Sequence, residues 1–249
     1  MDEFENSVAD ENIVMKFSAA SATSRMIVKF TGKNMNKIAI LGAGGFGREV
    51  KMLIDQINQK NKKYKFIGYF DDGFEKGALV NGYPVLGGIN DINEVTDALS
   101  IVAAIGLPSL KKKLIGKVTN PLISYPTLIH PNVFIGADEV SIGEGTIVCA
   151  NVIVTVNINI GKHVILNLSC TVGHDTNIGD YSSFMPSVNI SGEVNIMEEV
   201  YVGTGAKIIN QLDIGAGTIV GAGAVVSKTL PAHCTAVGIP AKPIKFHDK

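Results

Sequence analysis

The chain has 249 residues, a net charge of −1 and a hydrophobic fraction of 46%. The only basic run, Lys111–Lys113, is expected to be a solvated helix face, which argues against nucleic-acid binding. No apolar run reaches the roughly 18 to 20 residues of a membrane span, and the three cysteines follow no disulfide or metal-binding pattern. The composition therefore predicts a cytoplasmic globular protein that binds neither a membrane nor a metal ion.

Residues 1–34 are rich in Ser, Ala, Asp, Glu and Asn and show no sustained hydrophobic period. They lack the basic start and apolar core of a secretory signal. Because Met35 is typical of a natural start, we expect residues 1–34 to be a leader added during cloning. The alternative is a genuine disordered arm.

Residues 35–125 alternate between strand and helix patterns. A buried strand at 37–41 precedes the glycine loop 42–47, and a helix pattern with one apolar face follows. Further strands are predicted at 65–70, which ends at Asp71 and Asp72, and at 100–106. This alternation predicts a small Rossmann-like parallel sheet.

The glycine loop matches G-x-G-x-x-G between a strand and a helix. Gly44, Gly45 and Phe46 lie where backbone amides and a helix N-terminus can hold a phosphate, and Asp71 and Asp72 can accept hydrogen bonds from a ribose or base. With three clear strands and no dehydrogenase domain after them, a nucleotide diphosphate is favoured over NAD. The alternative is a tight turn that packs and binds nothing.

From Ile142 to Val226 an apolar residue returns at every sixth position. The series comprises Ile142, Val148, Val154, Ile160, Leu166, Val172, Ile178, Phe184, Ile190, Ile196, Val202, Ile208, Ile214, Val220 and Val226. A period of six is typical of the hexapeptide repeat of a parallel β-helix, whose stacked coils share one core. We therefore predict a β-helix domain over residues 126–249, with a C-terminal tail from Pro231 that caps its open end.

Outward positions of this repeat carry His174 and Asp175 side by side. A neutral imidazole can take a proton at neutral pH, and an adjacent carboxylate can fix its tautomer. The alternative is a surface dipeptide without a function. Outward aliphatic residues such as Val156, Ile165 and Val225 would be left in water on a lone β-helix, which predicts an oligomer.

Six motifs stand out together: the loop at 42–49, Tyr69–Asp72, Ala104–Gly106, Pro126–Pro131, Gly173–Asp175 and Val237–Lys242. In this combination the chain resembles one family, the bacterial left-handed β-helix sugar acyltransferases. The family includes N-acetyltransferases of nucleotide-linked 4-amino-4,6-dideoxy sugars and sialic acid O-acetyltransferases.

The resemblance implies a homotrimer with acetyl-CoA between neighbouring chains. It implies that His174 is the general base, that Asp175 orients it, and that the Gly192 amide stabilises the oxyanion. It implies that acetyl-CoA contacts Gly203, Thr204, Gly221 and Ala222. It also implies that residues 35–125 hold the nucleotide sugar, for example a UDP-sugar, near Gly44, Gly45, Phe46, Asp71, Asp72 and Gly106.

The sequence thus predicts an acetyl-CoA-dependent N-acetyltransferase that modifies the 4-amino group of a nucleotide-linked sugar for surface glycan biosynthesis. One alternative is O-acetylation of sialic acid or another sugar. A second alternative is a non-catalytic β-helix scaffold that senses a nucleotide.

Overall fold

The computed structural model describes residues 13–16, 27–30 and 35–247. Strand β1 (Ile13–Lys16) pairs antiparallel with β2 (Ile27–Phe30) in a unit of its own, residues 1–35. The sequence does not predict these strands, and the rest of the segment 1–34 lies outside the described residues. Its origin as a leader therefore stays a prediction.

Residues 36–124 form a six-stranded sheet with three helices. The strands are β3 (Asn36–Leu41), β4 (Tyr64–Phe70), β5 (Leu79–Val80), β6 (Tyr83–Gly87), β7 (Leu99–Ala103) and β8 (Ile123–Ser124). The helices are α1 (Gly45–Lys60), α2 (Ile89–Asn93) and α3 (Pro108–Ile115). Helix α1 buries Val50, Leu53 and Ile54, the face that the apolar spacing predicts. Proline fits the first turn of α3, where its missing amide costs no hydrogen bond.

The strand order is β5-β6-β4-β3-β7-β8, and every pairing is parallel except that of β5 with β6. The chain leaves β3 toward β4 on one side and returns to β7 on the other. The carboxyl ends of β3 and β7 therefore flank a topological switch point, where open α/β sheets bind their ligands. The glycine loop and Gly106 both lie at this edge.

The chain from Leu128 onward winds into a three-sided parallel β-helix. Face A consists of Leu128–Ile129, Ile147–Val148, Ile165–Leu166, Ser183–Phe184, Tyr201–Val202 and Ile219–Val220. Face B consists of Phe134–Ile135, Ile153–Val154, Thr171–Val172, Asn189–Ile190, Lys207–Ile208 and Val225–Val226. Face C consists of Val140–Ile142, Ile158–Ile160, Asn177–Ile178, Asn195–Ile196 and Asp213–Ile214. Ile147 pairs with Ile165 and Ile165 with Ser183, so one coil takes 18 residues.

The corners between faces share a backbone conformation that recurs every six residues. The residues with positive φ in this series are Asn151, Asn157, His163, Ser169, Asp175, Tyr181, Ser187, Glu193, Glu199 and Gln211. Gly205, Gly217 and Gly223 continue the series, with φ near +65° to +72°. One left-handed residue per corner turns the chain from one face to the next, which limits β-branched residues there. The six-residue period of the sequence thus reflects a strand and a corner.

The interior of the β-helix is filled by the residues that the repeat predicts. Val148, Leu166, Phe184 and Val202 are completely buried, and a stacked column of this kind shares one core among all coils. Small polar side chains that point into the β-helix form hydrogen bonds with backbone groups. Thr146 Oγ1, for example, donates to the Gly161 carbonyl at 2.9 Å, as buried polar groups require.

The N-terminal sheet and face A share one apolar core. Val50 and Ile54 of α1 belong to the same buried cluster as Leu128, Ile147 and Ile165 of face A. Ile165, which would lie in water on a lone β-helix, is covered by the N-terminal domain of the same chain and therefore gives no support for an oligomer. The predicted boundary after residue 125 lies between β8 and the first β-helix strand.

Helix α3 also packs on the β-helix, and this contact corrects a second expectation. Lys111 is not solvated: it is 1% exposed, and its Nζ donates to Ser183 Oγ at 2.9 Å. Lys112 contacts Glu199 at the corner between faces C and A. Burial without a bonded carboxylate lowers the pKa of Lys111 from 10.5 to about 7.

The C-terminal tail extends face A rather than simply covering the open end. Strand Cys234–Gly238 pairs in parallel with Ile219–Val220, and Ala241–Phe246 then pairs antiparallel with it. Ala236 and Ala241 join the β-helix core. Within the described residues no helix is long and apolar enough to span a membrane.

Candidate active site

His174 and Asp175 lie at the corner between faces B and C, and both side chains are accessible. The side chain of His174 is 56% exposed, and its Nδ1 lies 2.7 Å from Asp175 Oδ2. The other oxygen of Asp175, Oδ1, accepts a hydrogen bond of 2.9 Å from Asn157 Nδ2, one coil earlier. The hydrogen bonds with His174 and Asn157 lower the pKa of Asp175 below its ordinary value. An ionised Asp175 accepts a hydrogen bond from Nδ1–H, which leaves Nε2 unprotonated and free as a base.

Gly192 lies directly beneath the His174 ring, one coil later. A Cβ added to Gly192 would be 2.5 Å from both Nε2 and Cε1 of His174, a separation shorter than any van der Waals contact. Only glycine leaves this position open. Among the described residues the Gly192 amide has no hydrogen-bond acceptor, so it is available to stabilise negative charge beside the imidazole.

Mostly polar side chains of the His174 coil and of the next two coils line a cleft of about 300 Å³ beside this corner. Its lining residues are Asp175, Glu193, Asn195, Gln211, Leu212 and Asp213. Three of these six residues carry carboxylates, so the cleft attracts a cationic group.

The predicted nucleotide loop is open toward solvent at its first glycines. A Cβ on Gly44 would meet no atom within 4 Å, whereas one on Gly47 would be 2.0 Å from the Gly42 carbonyl oxygen. Gly47 is therefore required for close packing of α1 on β3. Gly44 and Gly45 are exposed, whereas Phe46 is partly buried and packs against the core that the N-terminal domain shares with face A. Gly106 lies across the switch point, in the loop that follows β7.

The two acidic residues after β4 are partly engaged in holding loops. Asp71 Oδ2 accepts a hydrogen bond from the Ala43 amide at 2.7 Å, and its Oδ1 accepts one from the Gly73 amide at 2.8 Å. Asp72 Oδ1 accepts one from the Ile89 amide at 3.1 Å. Asp71 thus fixes the shape of the glycine loop, and the second oxygen of Asp72 remains available to a ligand.

The residues assigned to acetyl-CoA meet at a different corner, between faces A and B. Gly203 stacks on the next coil so closely that a Cβ would be 2.5 Å from the Ala222 amide nitrogen. Thr204 and Ala222 are exposed there, and the Thr204 carbonyl accepts a hydrogen bond from the Gly223 amide. Gly221 stacks in turn against Val237.

The predicted residues therefore form three groups on one chain. The catalytic group lies at the corner between faces B and C, and the acetyl-CoA group lies at the corner between faces A and B. The sugar-binding group lies on the sheet that packs against face A. In a three-sided helix the corner between B and C is opposite face A, so one chain does not bring the nucleotide loop to its own His174.

Two other histidines are buried within the fold. His163 is 4% exposed, stacks on Tyr181 at 5.3 Å and packs against Gly145. Burial, with a smaller effect of the Lys111 charge, lowers the pKa of His163 to about 4. His130 is also buried, and its Nδ1 accepts a hydrogen bond from the Asn132 amide.

Asn157 is a site residue that the sequence reading missed. The sequence feature that could have identified it is its separation of 18 residues, or one coil, from Asp175. Residues 18 positions apart stack in one column of the β-helix, as the pairings across its faces show.

An imidazole hydrogen-bonded to a carboxylate, above an open backbone amide on a β-helix corner, is an arrangement suited to acyl transfer. The PglD N-terminal domain family matches residues 37–118. A GDP-perosamine N-acetyltransferase of Escherichia coli O157:H7 is 34% identical over 223 residues, which are 85% of this chain and 97% of the relative.

Solved structures agree with this match. WeeI from Acinetobacter baumannii AYE is 38% identical with a TM-score of 0.76, over 85% of this chain and 100% of that one. PerB from Caulobacter crescentus, in complex with CoA and GDP-perosamine, is 31% identical with a TM-score of 0.75, over 84% and 98%. The chain belongs to the left-handed β-helix sugar acetyltransferase family that includes the GDP-perosamine N-acetyltransferases.

Proposed function

We propose that the protein transfers the acetyl group of acetyl-CoA to the 4-amino group of a nucleotide-linked 4-amino-4,6-dideoxy sugar, for surface glycan biosynthesis. The observation that carries the proposal is the His174 corner, where Nδ1 is held by Asp175 and Nε2 lies above the open Gly192 amide. The proposed reaction takes place in the cytoplasm, where acetyl-CoA and nucleotide sugars are made.

His174 Nε2 removes a proton from the acceptor amine as the amine nitrogen attacks the thioester carbonyl carbon. The carbonyl oxygen becomes an oxyanion, which the Gly192 amide stabilises. When the oxyanion collapses, the C–S bond breaks and the amide forms. The proton on Nε2 then passes to the CoA thiolate, and His174 is restored.

The state of the cysteines favours direct transfer of the acetyl group from CoA to the acceptor over transfer through an acyl-cysteine intermediate. All three are free and buried, and burial raises the pKa of Cys149 to about 12 and that of Cys170 to about 11. A thiol is a poor nucleophile when its thiolate is unpopulated. Neither residue lies at the His174 corner.

The cleft beside His174 favours an amine over a hydroxyl as the acceptor. A sugar amine is an ammonium cation at neutral pH and releases one proton to solvent before its neutral form attacks and gives a second proton to His174. Asp175, Glu193 and Asp213 give the cleft a negative potential that attracts the ammonium form. A sialic acid carries a carboxylate that these residues would repel. This supports N-acetylation over the O-acetylation of sialic acid.

We assign the nucleotide to residues 35–125, with its diphosphate at Gly44, Gly45 and Phe46. Acetyl-CoA is assigned to the corner formed by Gly203, Thr204, Gly221 and Ala222. Since PerB was solved with GDP-perosamine, GDP-linked and UDP-linked amino sugars are the acceptors to compare.

A homotrimer is part of the proposal because the three groups of residues are separated on one chain. Neighbouring chains around a threefold axis would place the sugar-binding sheet of one beside the His174 corner of the next. Mixing subunits tests this at a nucleotide-sugar concentration well below the raised KM of Gly44→Val. A Gly44→Val chain and a His174→Ala chain, each of low activity alone under this condition, should recover part of the activity after subunit exchange. Failure to recover activity in mixed assemblies verified by mass spectrometry would contradict it.

The function itself is tested by incubating the protein with acetyl-CoA and each amino sugar. Thiol release should require the 4-amino sugar, and the product should gain one acetyl group that resists mild base, as an amide does. An ester product cleaved by mild base would indicate O-acetylation instead. No turnover with any amino sugar would favour a nucleotide-sensing scaffold.

A further inference from the structure

The carboxylate of Asp175 is held from both sides, and only one of its two partners is the proposed base. Oδ2 contacts His174 Nδ1 at 2.7 Å, and Oδ1 accepts the amide hydrogen of Asn157 at 2.9 Å. The two oxygens are therefore committed to different partners. Rotation of the carboxylate about its Cβ–Cγ bond would break both hydrogen bonds.

We propose that Asn157 is a positioning residue for catalysis: it fixes the Asp175 carboxylate in the plane in which it selects the Nδ1–H tautomer of His174. The inference rests on the proposed role of His174 as the base. Asp175 is 49% exposed, so water competes for its oxygens, and a side-chain amide from the preceding coil restricts it to one orientation.

The backbone explains why asparagine suits this position. Residue 157 has φ of +56°, the left-handed region that asparagine tolerates better than most residues. Its main-chain amide donates to the Asp138 carbonyl. The corner conformation thus directs a short amide side chain down the column onto Asp175.

Side-chain hydrogen bonds between residues 18 positions apart recur in two columns of the β-helix, and the Asn157–Asp175 pair differs from them in what it contacts next. Gln211 donates to Glu193 at 3.1 Å in the same column as Asn157 and Asp175, but neither residue is bonded to His174. Ser141, Asn159, Asn177, Asn195 and Asp213 form a continuous ladder along face C. The Asn157–Asp175 pair differs from both because it ends on an imidazole.

The test compares Asn157→Gly, Asn157→Asp and the matched control Asn151→Gly. Glycine keeps the positive φ without strain and removes the amide. Asn151 also has a left-handed φ, +60°, and lies at a corner between faces A and B, away from the His174 corner. Asn157→Gly should lower kcat by about 10-fold with little change in either KM, because orientation of the base is lost while binding is kept. Asn151→Gly should stay within about twofold of the wild type.

Asn157→Asp is nearly isosteric but replaces the donor with a second carboxylate. The extra negative charge should favour the imidazolium, so the acidic limb of the pH–rate profile should move to higher pH. This shift tests whether the side chain at position 157 acts on the Asp175–His174 pair, and the loss of kcat in Asn157→Gly tests whether the native amide positions it. An unchanged limb in Asn157→Asp, together with wild-type kcat in Asn157→Gly, would overturn the proposal.

A readout independent of activity separates this proposal from the proposed function. In ¹⁵N-histidine-labelled protein, His174 should be in the Nδ1–H tautomer, and Asn157→Gly should shift it toward a mixture of tautomers. Unchanged imidazole ¹⁵N shifts in Asn157→Gly overturn the positioning role. An active His174→Ala variant instead overturns the proposed base, and the ¹⁵N result still decides whether Asn157 orients the ring.

Discussion

Replacement of the buried Lys111 by methionine is expected to stabilise the protein. Lys111 is 1% exposed, its hydrogen-bond partner is Ser183 Oγ, and burial lowers its pKa from 10.5 to about 7. At 1.36 kcal/mol for each pKa unit, this difference corresponds to a penalty of about 5 kcal/mol for the charged form. Methionine has a similar length and no charge to desolvate.

The pH dependence of this penalty follows from which state binds the proton. Between pH 7 and 10.5 the unfolded chain carries the proton on Lys111 and the folded chain does not. Stability therefore rises with pH in this window, and the full penalty is present below pH 7. At pH 9 about 2 kcal/mol of it remains.

The Lys111→Met variant leaves Ser183 Oγ without its donor, which costs about 1 to 2 kcal/mol. We therefore expect a net gain of about 3 kcal/mol at pH 7 that falls to near zero at pH 9. Urea unfolding at both pH values and matched protein concentration measures this, with Lys113→Met, an exposed position on the same helix, as the control. A Lys111→Met variant less stable than the wild type at pH 7 would refute the reasoning.

Three further predictions concern the site and the fold. Gly192→Ala should lower kcat by at least about 10-fold at little cost in stability, because its Cβ would displace the exposed His174 ring; wild-type kcat would contradict this. Gly44→Val should raise KM for the nucleotide sugar by about 10-fold and leave KM for acetyl-CoA unchanged, since the new side chain occupies open space over the loop. His163→Phe should lose less stability than the wild type as the pH falls from 6.5 to 4, because in this range His163 is protonated in the unfolded chain but stays neutral in the folded one. If the free energy of unfolding falls equally with pH in the two proteins, His163 is not responsible for the loss.

The β-helix could be predicted from the sequence because its determinants are local. Each sixth residue turns inward whatever lies elsewhere in the chain, and Val148, Leu166 and Phe184 are buried as the repeat requires. The glycine loop could be predicted for the same reason. Position 47 must be glycine because it contacts the Gly42 carbonyl, only five residues away in the chain.

What the sequence did not reveal depends on contacts between distant parts of the chain. Ile165 and Lys111 look like surface residues until the N-terminal sheet and helix α3 pack on face A. His163 is buried by the same packing, next to Tyr125 and Tyr181. Asn157 was missed for another reason. Its partner Asp175 lies one full coil later in the chain, so the contact becomes visible only when residues 18 positions apart are compared.

The central claim is that His174 takes the proton from the acceptor, and its removal is the direct measurement. The side chain is 56% exposed, so His174→Ala opens no core cavity and should fold and melt like the wild type. Steady-state thiol release with acetyl-CoA and a 4-amino sugar should show kcat reduced by roughly 10²- to 10⁴-fold, the usual contribution of a general base. A folded His174→Ala enzyme that keeps more than about a tenth of the wild-type kcat would contradict the account.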